Sequence, residues 1–83
     1  MTDAWVYMLR CGDGSLYTGW STDLTRRLAQ HRAGTASRYT ASRLPVEPVL
    51  VLAMADRSAA RREEARIKAL GRAAKLALIA ELA

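Results

Sequence analysis

An α+β fold, with helices covering a three-stranded and mainly antiparallel sheet in the order β-β-α-β-α-α, follows from three features of the sequence. Two short runs rich in aromatic and β-branched residues flank a glycine-rich turn near the N-terminus. A continuous apolar run of strand length occupies residues 49–54. Three further segments repeat apolar residues at helical spacing between capping residues.

The first pair of elements comprises residues 5–10, with Trp5, Val6, Tyr7, Met8 and Leu9, and residues 16–20, with Leu16, Tyr17, Thr18, Gly19 and Trp20. Cys11, Gly12, Asp13, Gly14 and Ser15 separate them, which predicts an antiparallel hairpin. Ser21, Thr22 and Asp23 offer caps for a helix over residues 24–32, and Gly34 offers its C-terminal stop. Residues 35–48 are rich in Ser, Thr, Arg and Pro, and Pro45 and Pro48 argue against a helix there, so a surface loop is expected. A loop this long in so short a chain points to function, and it carries Arg38, Tyr39, Thr40 and Arg43. Residues 49–54 lack polar alternation and are expected to form the central strand, covered on both faces. Asp56 or Ser58 caps a second helix reaching Leu70, with Ala60, Ile67 and Leu70 facing inward. Gly71 breaks it, and residues 72–82 form a third helix with Leu76, Ile79 and Leu82 on one face.

At 83 residues, the chain has room for one hydrophobic core, so residues 1–83 are expected to form one domain. The longest apolar stretch, residues 49–55, is far short of the roughly 20 residues a bilayer span needs, so no membrane association is expected. A lone cysteine, Cys11, and an N-terminus without a leader pattern predict a reducing, cytoplasmic setting. A net charge of +5, with arginine greatly outnumbering lysine, predicts a polyanionic partner. The planar guanidinium fork matches phosphate oxygens. One histidine and one cysteine cannot fill a zinc tetrahedron, and Gly12-Asp13-Gly14 is too short for a nucleotide-binding loop.

Taking about 100° per residue from Leu24, Leu28 and His31 lie over one stripe, Arg27 lies about 60° to its side, and Arg26 faces the other way. Arg27 and His31 therefore flank the buried edge of the first helix together. Tyr7 and Tyr17 stand at similar distances from the turn and can meet on one sheet face. Gly19 shares that face and leaves a gap, which predicts the close approach of a helix or a ligand phosphate. In the second helix, Glu63 and Glu64 both border the inward stripe, and periodicity leaves them tied.

Val6-Tyr7, then Tyr17-Thr18-Gly19, then Arg27 and His31, then Glu64-Ala65-Arg66-Ile67-Lys68 in that order resemble the GIY-YIG nuclease superfamily. The likeness is to its small single-domain bacterial members of the YhbQ type, and it takes in Arg38-Tyr39-Thr40 and Leu70-Gly71-Arg72. It implies a metal-dependent nuclease that hydrolyses phosphodiester bonds, with DNA as the expected substrate. Tyr17 would stand by the attacking water with Tyr7 beside it, Arg27 would contact the scissile phosphate, and His31 would orient a tyrosine proton. The family spacing to Lys68 favours Glu64 as holder of one divalent ion, Mg²⁺ or Mn²⁺. Arg38, Tyr39, Thr40, Arg43 and Lys68 are the expected nucleic-acid contacts. An ordinary phenol is only about 0.1% ionised at pH 7, so a tyrosine base needs adjacent cations, which Arg27 and the metal would supply.

Three positions depart from the family pattern. Trp5-Val6 replaces Gly-Ile, Thr18 replaces isoleucine, and Trp20 stands where excision-repair relatives carry lysine. Losing that lysine shifts phosphate work onto Arg27 and His31. The chain shows no separate DNA-targeting segment, so targeting falls to its basic surface or to a protein partner. The competing expectation is a basic module that binds nucleic acid without cutting it, and a weaker one makes the Leu76, Ile79 and Leu82 face an oligomer or partner surface.

Overall fold

The computed structural model of the chain describes residues 2–83. Strands β1 (Ala4–Arg10) and β2 (Leu16–Ser21) form the hairpin, followed by helix α1 (Leu24–Ala33), a single-turn helix α2 (Arg38–Ala41), strand β3 (Glu47–Met54) and helices α3 (Arg57–Lys68) and α4 (Arg72–Leu82). The sheet order is β2-β1-β3, antiparallel throughout. Among the described residues no helix is long and apolar enough to cross a membrane.

Local chemistry accounts for the element ends. The hairpin turn closes through Cys11 N–H to Ser15 O at 2.9 Å, and Asp13 Oδ1 accepts from Ser15 N–H and Oγ–H at 3.0 and 2.6 Å. Gly14 takes a φ of 83° there, a left-handed value costly for other residues. The Asp23 carboxylate caps α1 by accepting from Arg26 N–H, and Gly34 ends that helix at φ 78°. The Asp56 carboxylate caps α3 through Ala59 N–H at 2.7 Å.

The 35–48 segment is not structureless as expected. Ser37 caps one helical turn, α2, before Pro45 and Pro48 forbid its extension. Nor is residues 49–54 the central strand. β1 pairs on both sides, with Val6 opposite Trp20 and Leu52, whereas β3 is an edge strand. The β1–β3 register shifts between Met8 and Leu9, where Pro48, which has no N–H, lies opposite Leu9. An edge position tolerates that missing donor.

The sheet buries both faces unequally. Ala4, Val6, Met8 and Leu50 pack with Ala60 and Ile67 beneath α3, joined by Leu78 and Ile79 of α4. Tyr7, Leu9 and Val46 form a second cluster with Leu24 and Leu28 of α1. Val51, on the second face at the β3 edge, stays 43% exposed because α1 covers only the β2 side. On α4 the expected stripe divides: Ile79 packs inward, while Leu76 and Leu82 are exposed.

Candidate active site

Pairing across the hairpin decides which side chains share the second face. Tyr7 lies opposite Gly19, and Tyr17 opposite Leu9. All four point to one side, so the tyrosines are diagonal neighbours and not a directly opposed pair. A Cβ added at Gly19 would lie 2.5 Å from the Tyr7 hydroxyl oxygen and 2.7 Å from Cζ. The Tyr7 phenol itself fills the gap over Gly19, where a helix or ligand phosphate was expected. Thr18, the departure from isoleucine, faces the α3 core and is remote from this chemistry.

Helix α1 lowers His31 onto this pair. Its Nε2 lies 2.7 Å from the Tyr7 hydroxyl and its Nδ1 lies 2.9 Å from Oγ1 of Thr40. The imidazole meets both tyrosine rings edge-on, with centroids 5.4 Å from Tyr7 and 5.2 Å from Tyr17. His31 is 1% exposed and Tyr7 2%. Burial, then the nearby Tyr17, raises the Tyr7 pKa well above the usual phenol value, against the opposing pull of Arg27. Burial, then the Arg27 charge, lowers that of His31 below 6.5. At pH 7 both groups are neutral. The Tyr7 hydroxyl has no other acceptor among the described residues, so it donates to Nε2, and Nδ1–H donates to Thr40. The Thr40 hydroxyl in turn reaches Ser37, 3.1 Å from its Oγ.

Arg27 and Glu64 come to this centre from two helices. Both act electrostatically on the Tyr7 phenol, Arg27 lowering and Glu64 raising its pKa, and Arg27 also acts on His31. Arg27 lines two adjoining clefts beside the end of β2. The tie between the glutamates is broken by place. Glu63 pairs with Arg66 and lines a recess with Met54 and Arg62, whereas the Glu64 charge is felt at the Tyr7 phenol and its carboxylate lies 3.6 Å from Lys68 Nζ. Among the described residues no three His, Cys, Asp or Glu side chains cluster. A single carboxylate with phenol oxygens nearby suits a hard ion such as Mg²⁺, which keeps its waters and takes the remaining ligands from substrate phosphate. Glu64 therefore fits that role.

The expected nucleic-acid contacts divide. Tyr39 is exposed, stacks on Tyr17 with centroids 5.7 Å apart, and carries the Arg43 guanidinium 3.8 Å above its ring. Arg43 also holds Asp13 at 3.0 Å, tying the loop to the hairpin turn. Arg38 is exposed beside Gly34 and Ala41, and Lys68 is exposed at the end of α3. Thr40 is different: it is 0% exposed behind His31, so no direct contact with nucleic acid is open to it. Its hydroxyl holds the histidine tautomer instead. Ser37 was missed as its support, although Ser37 three residues before Thr40 is a helix-capping spacing.

A phenol pair with an imidazole between them, and a guanidinium and a carboxylate carried on two separate helices, mark out one candidate centre on a small α+β sheet. A model of the GIY-YIG catalytic domain matches residues 3–77, and the chain belongs to that family of nucleases. Within it, the chain is similar to UPF0213 proteins: 46% identical over 79 residues to one from Natronomonas pharaonis, covering 95% of this chain and 93% of that one. It is 47% identical over 78 residues to one from Streptococcus sanguinis, covering 94% and 90%. The solution NMR structure of a UPF0213 protein from Bacillus halodurans superposes with a TM-score of 0.62 at 39% identity, covering 93% of this chain and 82% of that one.

Proposed function

We propose that this chain is a divalent-metal-dependent nuclease hydrolysing a phosphodiester bond in DNA, with Tyr7, Tyr17, Arg27, His31 and Glu64 as its working residues. The observation that carries the reading is the meeting of Tyr7, Tyr17 and His31 on one sheet face within the electrostatic reach of Arg27 and Glu64.

In the reaction, water adds to phosphorus, one P–O ester bond breaks, and the water's proton must leave as the new bond forms. Tyr17, half-buried and packed edge-on against His31, accepts a hydrogen bond from the attacking water and orients it. The water's proton departs to solvent while the leaving ester oxygen takes one from solvent. Tyr7 keeps its proton and locks His31 through Nε2, so the imidazole can neither tilt nor change tautomer as substrate enters. Arg27 binds the non-bridging oxygens with its fork of donors and stabilises charge that grows on the phosphorane. A divalent ion held by Glu64 would neutralise phosphate charge and acidify the attacking water. Arg38, Tyr39, Arg43 and Lys68 supply contacts along the substrate, and target choice rests on this basic surface or on a protein partner.

The experiment is a cleavage assay on paired, single-stranded and branched DNA and RNA, with Mg²⁺, with Mn²⁺ and with chelator. Ion-dependent cleavage that Tyr17→Phe, Arg27→Ala and Glu64→Gln each abolish supports the proposal. Ion-independent, salt-sensitive binding with no cleavage on any substrate would instead make the chain a binding module.

A further inference from the structure

The two clefts beside Arg27 have a feature that the catalytic centre does not use. One, of about 470 Å³, holds Arg26 and Gln30; the other, of about 260 Å³, holds Trp20 and Arg57. They share Ser21, Thr22 and Arg27, so Arg27 stands at the junction of one continuous groove crossing the end of β2. Arg61, one turn beyond Arg57 on α3, lies over the Trp20 ring at 5.5 Å and extends the positive wall.

No ion pair among the described residues neutralises this wall. Among the described residues Arg26, Arg27, Arg57 and Arg61 form no ion pair, whereas Arg10, Arg43, Arg66 and Lys68 each do. The one carboxylate at the groove, Asp23, is engaged in capping α1. Arg26 and Arg57 also sit in the first turns of α1 and α3, neither of which holds an acidic residue. A cation at that end opposes the helix dipole, so both placements cost stability, and like charges along the groove add repulsion. The Asp23 and Asp56 caps offset part of this cost, and the cations they leave without an ion-pair partner mark a functional surface.

We infer that this groove is the track of the nucleic-acid backbone, and that Arg26 and Arg57 each bind a phosphate on either side of the one held by Arg27. The inference rests on the nuclease reading for its direction along the substrate. Polyanion binding supplies the countercharge that the two caps leave unmet, and contacts of this kind grip without reading sequence. The track also explains the place of Trp20, whose ring gives the strand an apolar, Arg61-backed floor beside Arg57.

The test is equilibrium binding of a fluorescein-labelled DNA duplex, and of its single strand, in chelator so that no cleavage intervenes. For Arg26→Ala and for Arg57→Ala, the slope of log K against log salt should shrink by about 0.9 on duplex, or about 0.7 on single strand, over roughly 50–200 mM salt. Arg62→Ala, on the β3 side of α3, should leave it unchanged. Circular dichroism confirms folding, and the glutamine variant at the same position, Arg26→Gln, Arg57→Gln or Arg62→Gln, replaces any alanine variant that fails it. Unaltered slopes for both groove variants, or an equal loss for Arg62→Ala, would overturn the track. Cleavage by wild type with unaltered slopes sinks this inference alone; reduced slopes without any cleavage sink the nuclease reading and leave the track standing.

Discussion

The Tyr7 hydroxyl donates to Nε2 of His31 across 2.7 Å, and it can reach that nitrogen only because the residue opposite Tyr7 in the hairpin is Gly19. One backbone position without a side chain thus sets the protonation geometry of the whole centre. The bond also fixes His31 between two phenols of different exposure, Tyr7 buried and Tyr17 half-buried.

Tyr7→Phe keeps the ring and removes the donor. Nε2 of the buried His31 then loses its partner, which should cost about 1–3 kcal/mol of stability. Urea denaturation measures this, and a loss below about 0.5 kcal/mol would mean that the bond contributes nothing net.

Gly19→Ala should destabilise by roughly 1–3 kcal/mol, because the added methyl overlaps a ring that is itself held between β1 and His31. Cleavage should fall with it, since the ring must tilt away from His31. A variant with wild-type melting temperature and activity would show that Tyr7 moves freely.

Stability should depend on pH through His31. Its folded pKa lies below 6.5, from burial first and Arg27 second, so the unfolded chain binds the proton more readily. The contribution is therefore whole above pH 6.5 and is lost as pH falls from there through the folded value. Denaturation midpoints at about pH 7.5 and about pH 5.5 should differ more for wild type than for His31→Gln. Parallel profiles would remove His31 as the titrating group.

The glutamates should separate cleanly. Glu64→Gln should lower cleavage by on the order of a hundredfold or more, the scale of a lost transition-state charge contact. Glu63→Gln breaks only a solvent-screened surface pair with Arg66 and should leave cleavage unchanged. Initial rates at saturating Mg²⁺ decide this, and equal losses would return the two to a tie.

Short-range physics was readable from the chain. Cap candidates among Ser21, Thr22 and Asp23 and between Asp56 and Ser58, the stop at Gly34, the glycine-rich turn, and the bounds of α4 each depend on residues within a few positions of one another. The structure selects Asp23 and Asp56 as the caps. The alternation of strands likewise put Tyr7 and Tyr17 on one face, and helical spacing put Arg27 beside His31. Those residues, with the motif order, carried the family resemblance.

Long-range pairing decided the rest. An apolar run does not encode whether it lies at the centre or edge of a sheet, so only the pairing of β1 with both neighbours made residues 47–54 an edge. Two adjacent glutamates on one helix are separated only by what each faces across the fold, and Thr40 became a buried histidine partner only once α2 packed on α1. The sequence by itself determined the elements and the chemical groups available; the tertiary structure decided which groups meet, because hydrogen bonds and charge interactions act over a few ångströms between residues far apart along the chain.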